Sequence, residues 1–585
     1  MKNELKSRTG GQLLVDALKV HGVDTAFCVP GESYLAVLDA LYDAREAIKL
    51  IVCRQEGGAA NMAEAYGKLT GKPGICLVTR GPGATNAAIG VHTAFQDSTP
   101  LVLLVGDVGG DVRDREAFQE IDFAAMFGPS CKGLAKRVER VDEADRIPEA
   151  VQRAFATAMN GRPGPVVLVL PEDMLVRRTE ALPGARVEAV KPAIGRDDVL
   201  AVEALLRPAT RPLVIAGGGW SPAGAAALQR FAEAWHLPVG NAFRFQDAFD
   251  NHHPLYAGDI GIGVNPRLAQ RVRDSDLVIA IGARLGEMTT GGYTLLEAPR
   301  PKQTLIHIHP GADELNRVYH ADRAINASSE SAAAALAALA PDGPVAWADW
   351  ADAANADYRA HVAAAGPGAA GTLPRPGATE PIDMPTIIGI AQRLLPPDAV
   401  VTNGAGNFAS WIHRYFRFRG IAAGGKTQLA PTAGAMGYGV PAGIAANLLT
   451  GRVAFTIAGD GDFLMNGQEL ATAVGHGAKS IILVLDNGMY GTIRMHQERN
   501  YPGRVSGTGL SNPDFCALAR AYGYAAETVE RTADFERALA DALARDRGTL
   551  IAIALSPQIL TTGPTLDDLR QEGLRRQSVR SAEGG

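Results

Sequence analysis

Short apolar runs rich in β-branched residues recur along this chain, each followed by a helix-like stretch, and this alternation constrains the fold more than any other feature. TAFCVP, IKLIVC, GICLVT and PLVLLVGD fall between residues 25 and 107, separated by segments such as GQLLVDALKVHG and AANMAEAYGKLTG. Runs of this length joined by helices build parallel sheets covered on both faces. The pattern returns at PVVLVLPED, at PLVIAGGG, LVIAIGA and TLIHIHP, and again at AVVTNG, VAFTIAGDGD, SIILVLDN and TLIAIALS. It predicts an α/β chain of three doubly wound parallel-sheet domains, at about 1–185, 190–350 and 375–565. Stretches rich in Pro, Gly and Ala, at about 177–195 and 361–383, read as linkers. The charged tail after Thr565 is expected to fray at its end.

Composition narrows the function classes. The 585 residues carry 57 basic and 63 acidic side chains, a net charge of -6, with no run of Lys or Arg, so the sequence offers no footprint for nucleic acid. No stretch is long and apolar enough to span a bilayer and the N-terminus has no apolar leader, which reads as a cytoplasmic chain without a membrane partner. The five cysteines, Cys28, Cys53, Cys76, Cys131 and Cys516, form no C-x-x-C pair and suggest buried reduced thiols. Glycine is in excess, 66 residues against a usual share of about 7%, so sharp turns and close backbone approaches are expected.

Residues 451–491, GRVAFTIAGDGDFLMNGQELATAVGHGAKSIILVLDNGMYG, carry the most informative pattern. A strand runs to Ala458, Gly459-Asp460-Gly461 turns, a helix is expected to begin near Asn466, and a second strand leads into Asn487. In a right-handed βαβ unit the two strands are parallel and close, which brings Asp460 and Asn487 together at the carboxyl edge, where such sheets bind ligands. A carboxylate and an amide oxygen at one point suit a hard cation such as Mg2+. The flanking glycines and the following helix start suit a diphosphate. The plainer alternative, a tight turn and a helix cap, would fit G-D-G alone but not its spacing to Asn487.

On these residues the sequence resembles a thiamine diphosphate enzyme of the acetolactate synthase type, over essentially the whole chain. The resemblance implies an order of pyrimidine-binding, central and diphosphate-binding domains. It makes Asp460, the Asn487 side chain and the Met489 main-chain carbonyl the Mg2+ ligands, with Gly459, Gly461 and Asp462 beside the diphosphate. Gly404 and Asn407 in NGAGNFASW resemble another diphosphate-side loop, although the Gln-His pair common there is missing. Gly434 and Met436 in PTAGAMGYGVPAG resemble the segment whose apolar side chain wedges between the two cofactor rings.

In the first block the resemblance identifies Glu56, in CRQEGGAANM, with the glutamate that hydrogen-bonds the aminopyrimidine ring. Sharing a proton there favours the tautomer that can take the C2 proton of the thiazolium. Without the resemblance, Glu56 reads as a charge favoured by a helix start. Pro30 and Gly31 in the first strand's turn, and Gly83 and Asn86 in TRGPGATN, are carried over as pyrimidine-side residues. Arg80 stands where a small Ser is common, a departure that would close or charge part of the pocket. Phe118 and Gln119 in AFQEID match the acetolactate synthase subgroup, where pyruvate-type decarboxylases carry a His pair, and are taken as substrate-pocket residues. Lys132 resembles a lysine near the substrate channel.

The middle block leaves its ligand open. VIAGGGW and IGARLGEMTTGG are strand-then-glycine turns that suit a dinucleotide, and the resemblance admits FAD, ADP or nothing. His252-His253 and His307-x-His309 read as structural. His496 stands where FAD-dependent biosynthetic acetolactate synthases carry Trp, which leaves the acceptor open. The implied activity is carboligation of 2-oxo acids with decarboxylation, by a homodimer or homotetramer with active sites at the subunit interface. Another thiamine diphosphate-dependent decarboxylase or lyase, or a cofactor-binding protein without catalysis, are the alternatives.

Overall fold

The computed structural model describes residues 7–128, 134–364 and 380–583. Three six-stranded sheets, parallel throughout, follow one another along the chain. The first contains β1 (Thr25–Cys28), β2 (Lys49–Val52), β3 (Gly74–Val78), β4 (Leu101–Asp107), β5 (Arg137–Arg140) and β6 (Pro165–Pro171), in the order β2-β1-β3-β4-β6-β5. The second contains β7 (Pro212–Ala216), β8 (Val239–Ala242), β9 (Tyr256–Ile260), β10 (Leu277–Ile281), β11 (Thr304–Ile308) and β12 (Arg323–Ile325), in the order β9-β8-β7-β10-β11-β12. The third contains β13 (Val400–Asn403), β14 (Gln428–Leu429), β15 (Ala454–Gly459), β16 (Ile481–Asp486), β17 (Ala525–Val529) and β18 (Thr549–Ala554), in the order β14-β13-β15-β16-β18-β17. The expected α/β class, with three parallel-sheet domains, is what the chain forms. The central strands β3, β4, β6, β10 and β15 are buried along their whole length. This is why they read as continuous apolar runs and not as alternating ones.

In the first and third sheets the second strand lies on one side of the first and the third strand on the other. Each sheet therefore has a switch point, between β1 and β3 and between β13 and β15, where the loops at the carboxyl ends diverge. Among the helices that connect the strands of these two sheets are α1 (Glu56–Thr70), α2 (Gly81–Asp97), α3 (Gly439–Thr450), α4 (Asp460–Asn466), α5 (Leu470–His476) and α6 (Gly491–Asn500), and a last helix α7 spans Leu566–Glu583. The Gln55 side chain caps α1 by accepting from Gly58 N, and α1 ends in left-handed Gly71.

One expectation needs correction. The helix after the G-D-G turn begins at Asp460 itself, not near Asn466, because the turn's carboxylates sit in the first helical turn, where unpaired N–H groups attract them. The charged tail carries more order than its composition suggests, since it forms the helix α7, held near its start by Arg570, which grips the buried Glu498 of α6 through Nε and Nη2, at 2.9 and 2.8 Å; its end, residues 584–585, lies outside the described residues. Residues 365–379 of the second linker, and Cys131 and Lys132, lie outside the described residues.

By packing, the chain divides into two compact units. One holds Met1–Val190 with Pro431–Gly451 and Asn466–Ala478; the other holds Lys191–Ala430, Arg452–Met465 and Lys479–Gly585. Helices α3 and α5 thus belong with the first sheet although they are threaded through the sequence of the third.

Candidate active site

In the first unit the residues flagged on three separate loops meet at the switch point. Gly31 follows β1 so closely against Thr79, after β3, that a Cβ on it would lie 2.5 Å from Thr79 Cβ. Ser33 Oγ and Thr79 Oγ1 lie 2.8 Å apart and tie the same two loops. Glu56 is the half-buried first residue of α1, so the helix-start placement and the functional assignment fall on the same position. Asn86 Nδ2 donates to Glu56 Oε2 at 3.0 Å. A Cβ on Gly83 would come within 3.5 Å of Glu56 Oε1. Pro30 is exposed at the rim.

Gln119 is in the left-handed region at φ 65, a conformation that costs a non-glycine residue energy and concentrates at functional sites. Its carbonyl would be 2.5 Å from a Cβ on Gly81. Phe118 is 71% exposed. Arg80 does charge this loop, but its charge is met: Nε donates to Phe118 O at 2.9 Å, Nη1 to Glu172 at 3.3 Å and Nη2 to Glu32 at 3.1 Å. The arginine pins the Phe118–Gln119 turn.

The sequence did not point to Glu469. Its buried carboxylate accepts from Arg54 N and Gln55 N, at 3.2 and 3.0 Å, and holds the backbone that delivers Glu56. Burial pushes this carboxyl above the ordinary range. Met436, half-buried, and Gly434, at φ 67, lie in the segment that packs with this unit.

In the second unit β15 and β16 are paired with Gly459 opposite Leu485, which sets Asp460 and Asn487 side by side. Gly488 N donates to Asp460 Oδ2 at 2.8 Å and to Asp486 Oδ1 at 3.0 Å. Asn512 Nδ2 bridges the same two oxygens, at 2.8 Å each, while its Oδ1 is buried with no protein partner. Burial, with Asp486 adding to it, raises the Asp460 carboxyl above its usual value. Met489 is held by a bridge to Gly509, and Asn487 Oδ1 accepts from Met489 N at 3.2 Å.

On the other side of the switch point, Asp462 Oδ1 accepts from Ala405 N at 3.0 Å, and a Cβ on Gly404 would overlap that carboxylate at 2.1 Å. Cβ atoms on Gly459 and Gly461 would strike the Phe408 and Tyr490 rings, at 2.7 and 2.6 Å. Asn407 N donates to Thr492 Oγ1 at 2.9 Å. Asp486 and Asn512 were missed: the first is masked by its neighbour Asn487 and the second is distant in sequence, without any local signal.

These donors are the hard oxygens that Mg2+ takes, and the bared glycine backbone with an orphaned amide oxygen fits a polar ligand at this edge. In the central sheet the fit to a nucleotide is poor. Gly217 N and Gly218 N donate to Ile281 O and Gly282 O, at 2.9 and 3.0 Å, so the glycine turn spends them inside the fold and offers neither to FAD or ADP phosphates. His307 Nε2 lies 3.0 Å from Ala283 O, and His309 Nδ1 accepts from Gly311 N. His252 and His253 face Asp250 and Glu233. Among the described residues no group of three or more His, Cys, Asp or Glu is arranged to hold a metal.

Three sheets with two such edges define an enzyme class that family models recognise independently. The N-terminal, central and C-terminal domain models of thiamine pyrophosphate enzymes match residues 8–126, 199–338 and 404–553. The chain belongs to the thiamine pyrophosphate enzyme family. It is 32% identical to the acetolactate synthase large subunit of Parasynechococcus marenigrum, over 94% of this chain and 88% of that one. It is 30% identical to the acetolactate synthase isozyme 2 large subunit of Escherichia coli, over 93% and 95%. With the probable acetolactate synthase large subunit of Methanocaldococcus jannaschii it shares 29% identity, over 94% and 92%.

Proposed function

We propose that this protein joins 2-oxo acids with loss of CO2, using thiamine diphosphate and Mg2+, in the manner of acetolactate synthase. The observation that carries the reading is the pairing of Asp460 with the Asn487 turn through Gly488 N, in a chain matched by all three domain models of this family. Asp460, Asn487 Oδ1 and the Met489 carbonyl would hold the metal. Gly404, Asn407, Gly459, Gly461 and Asp462 would present backbone and polar groups to the diphosphate. Pro30, Gly31, Gly83 and Asn86 would line the pyrimidine side, with Gly434 and the Met436 side chain supporting the rings.

Bound thiamine diphosphate supplies a carbon nucleophile and an electron sink for decarboxylation. The protein's part is to hold a proton at Glu56, which Asn86 orients, and to keep the metal and diphosphate fixed. Phe118 and Gln119 would border the 2-oxo acid. Four cysteines, Cys28, Cys53, Cys76 and Cys516, are free and buried, which supports a cytoplasmic enzyme. A homodimer or homotetramer is the assembly this reading expects, and light scattering measures it.

The test is a screen of 2-oxo acids with thiamine diphosphate and Mg2+, following CO2 and identifying products by mass spectrometry. Pyruvate giving CO2 and acetolactate supports the proposal. CO2 with an aldehyde would make the protein a decarboxylase, and no turnover of any 2-oxo acid would refute the reading. Glu56→Gln should lower kcat by about 10²- to 10⁴-fold while calorimetry still records metal-dependent cofactor binding.

A further inference from the structure

A buried charge cluster in the first unit takes no part in the function above. Lys68, near the end of α1, pairs with Glu64 at 3.2 Å and with Asp97 at the end of α2, and its side chain is 9% exposed while both carboxylates are fully buried. A well-packed apolar replacement of such a cluster is often no less stable, so stability alone does not account for it. Here both carboxylates hold a second segment. Asp97 Oδ1 accepts from Thr432 N at 2.7 Å and from Thr432 Oγ1. Glu64 accepts from Tyr438 OH at 2.6 Å and from Thr99 Oγ1 at 2.7 Å, and Lys68 Nζ sits 4.8 Å above the Tyr438 ring. Asn466 Nδ2 donates to Gly437 O at 2.9 Å.

The segment so held, residues 432–438, has no regular secondary structure and turns through Gly434 and Gly437, both with positive φ. Locally Gly434 N donates to Pro431 O at 3.3 Å, while the conformational freedom of the two glycines gives weight to the longer-range contacts at its ends. Its two ends are fixed to α1 and α2, and Met436 lies between them. The other end of α1 begins at Glu56. We propose that Glu64, Lys68 and Asp97, acting through Thr432 and Tyr438, are positioning residues that hold the Met436 loop in a fixed place relative to the helix that carries Glu56. The inference rests on the proposed role of Met436 beside the cofactor.

Thr432→Val removes one hydroxyl donor at equal volume, and Tyr438→Phe removes the other while keeping the ring. In the full-length protein without cofactor, hydrogen exchange across 433–437 should rise about tenfold in either variant. In the enzyme loaded with thiamine diphosphate and Mg2+, kcat with pyruvate should fall roughly tenfold or more, the scale set by small misplacements, with KM within about twofold. Thr432→Ser should restore both readouts. In a Met436→Ala background, Thr432→Val should change kcat no further, because the two act as one unit.

Faster exchange with unchanged kcat, or a full additional loss in the Met436→Ala background, would overturn the inference. Should Thr432→Val fail to fold, Tyr438→Phe carries the same comparison. An unmodified protein that neither binds thiamine diphosphate nor turns over pyruvate overturns the functional reading and this one together; an active one whose variants keep its kcat overturns this one alone.

Discussion

Glycine positions decide what this chain's two edges can hold. Gly404 is the clearest: a single methyl there would meet the Asp462 carboxylate at 2.1 Å, and both residues are buried. Gly404→Ala should cost about 1–3 kcal/mol by overpacking and weaken thiamine diphosphate binding at least about tenfold, read by differential scanning and titration calorimetry; unchanged binding would place the diphosphate elsewhere. Asn512 offers the complementary test. Asn512→Ala removes the side-chain donor that Asp460 and Asp486 share and leaves them only Gly488 N in common, so Mg2+ affinity should change by roughly the 10- to 100-fold typical of residues that orient metal ligands, measured by metal titration of the protein. The glycine of the G-D-G turn was legible in the sequence because it stands in a strand-turn-helix frame. Asn512 was not, since its only link to Asp460 is spatial.

Among the elements, the C-terminal helix α7 shows how one buried carboxylate fixes a whole segment. Arg570, helped by Gly503 N and Arg494 and against the opposing effect of burial, holds Glu498 down at about 2, against an ordinary value of about 4.3. A depressed carboxyl stabilises the folded form above its ordinary value and loses that contribution as pH falls towards the folded one. Docking of α7 on α6 should therefore weaken between about pH 4.3 and 2, by up to about 3 kcal/mol. Hydrogen exchange of residues 566–579 as a function of pH measures this, and Glu498→Gln should remove the dependence while loosening the helix at neutral pH. A flat profile in the unmodified protein would show that the pair does not secure the helix. The amphipathic signal of this tail is weak and charged throughout, which is why its order shows only once its partner is in view.

At the scale of the molecule, the first sheet is completed by segments more than two hundred residues away. Glu469 holds the backbone before Glu56, and Tyr438 and Thr432 meet the buried charges of α1 and α2. A fragment ending at residue 190 would expose those charges' partners and the apolar face that α3 covers. It should show no cooperative thermal transition by calorimetry, whereas the full chain should; a fragment melting within about 5 °C of the full chain would refute this, since a shift of that size is only about 2 kcal/mol for a fragment of this length.

The sequence by itself determined the fold class and the placement of Asp460 beside Asn487, because each is written in local periodicity and in turn residues at a strand end. Tertiary structure alone decided which segments complete the first sheet's unit, that Arg80 is neutralised by Glu32 and Glu172, and which residues Glu469, Asn512 and the Lys68 cluster hold. Those assignments depend on contacts between residues far apart in the chain, and such contacts follow from how the helices and sheets pack, a property that no window of sequence carries.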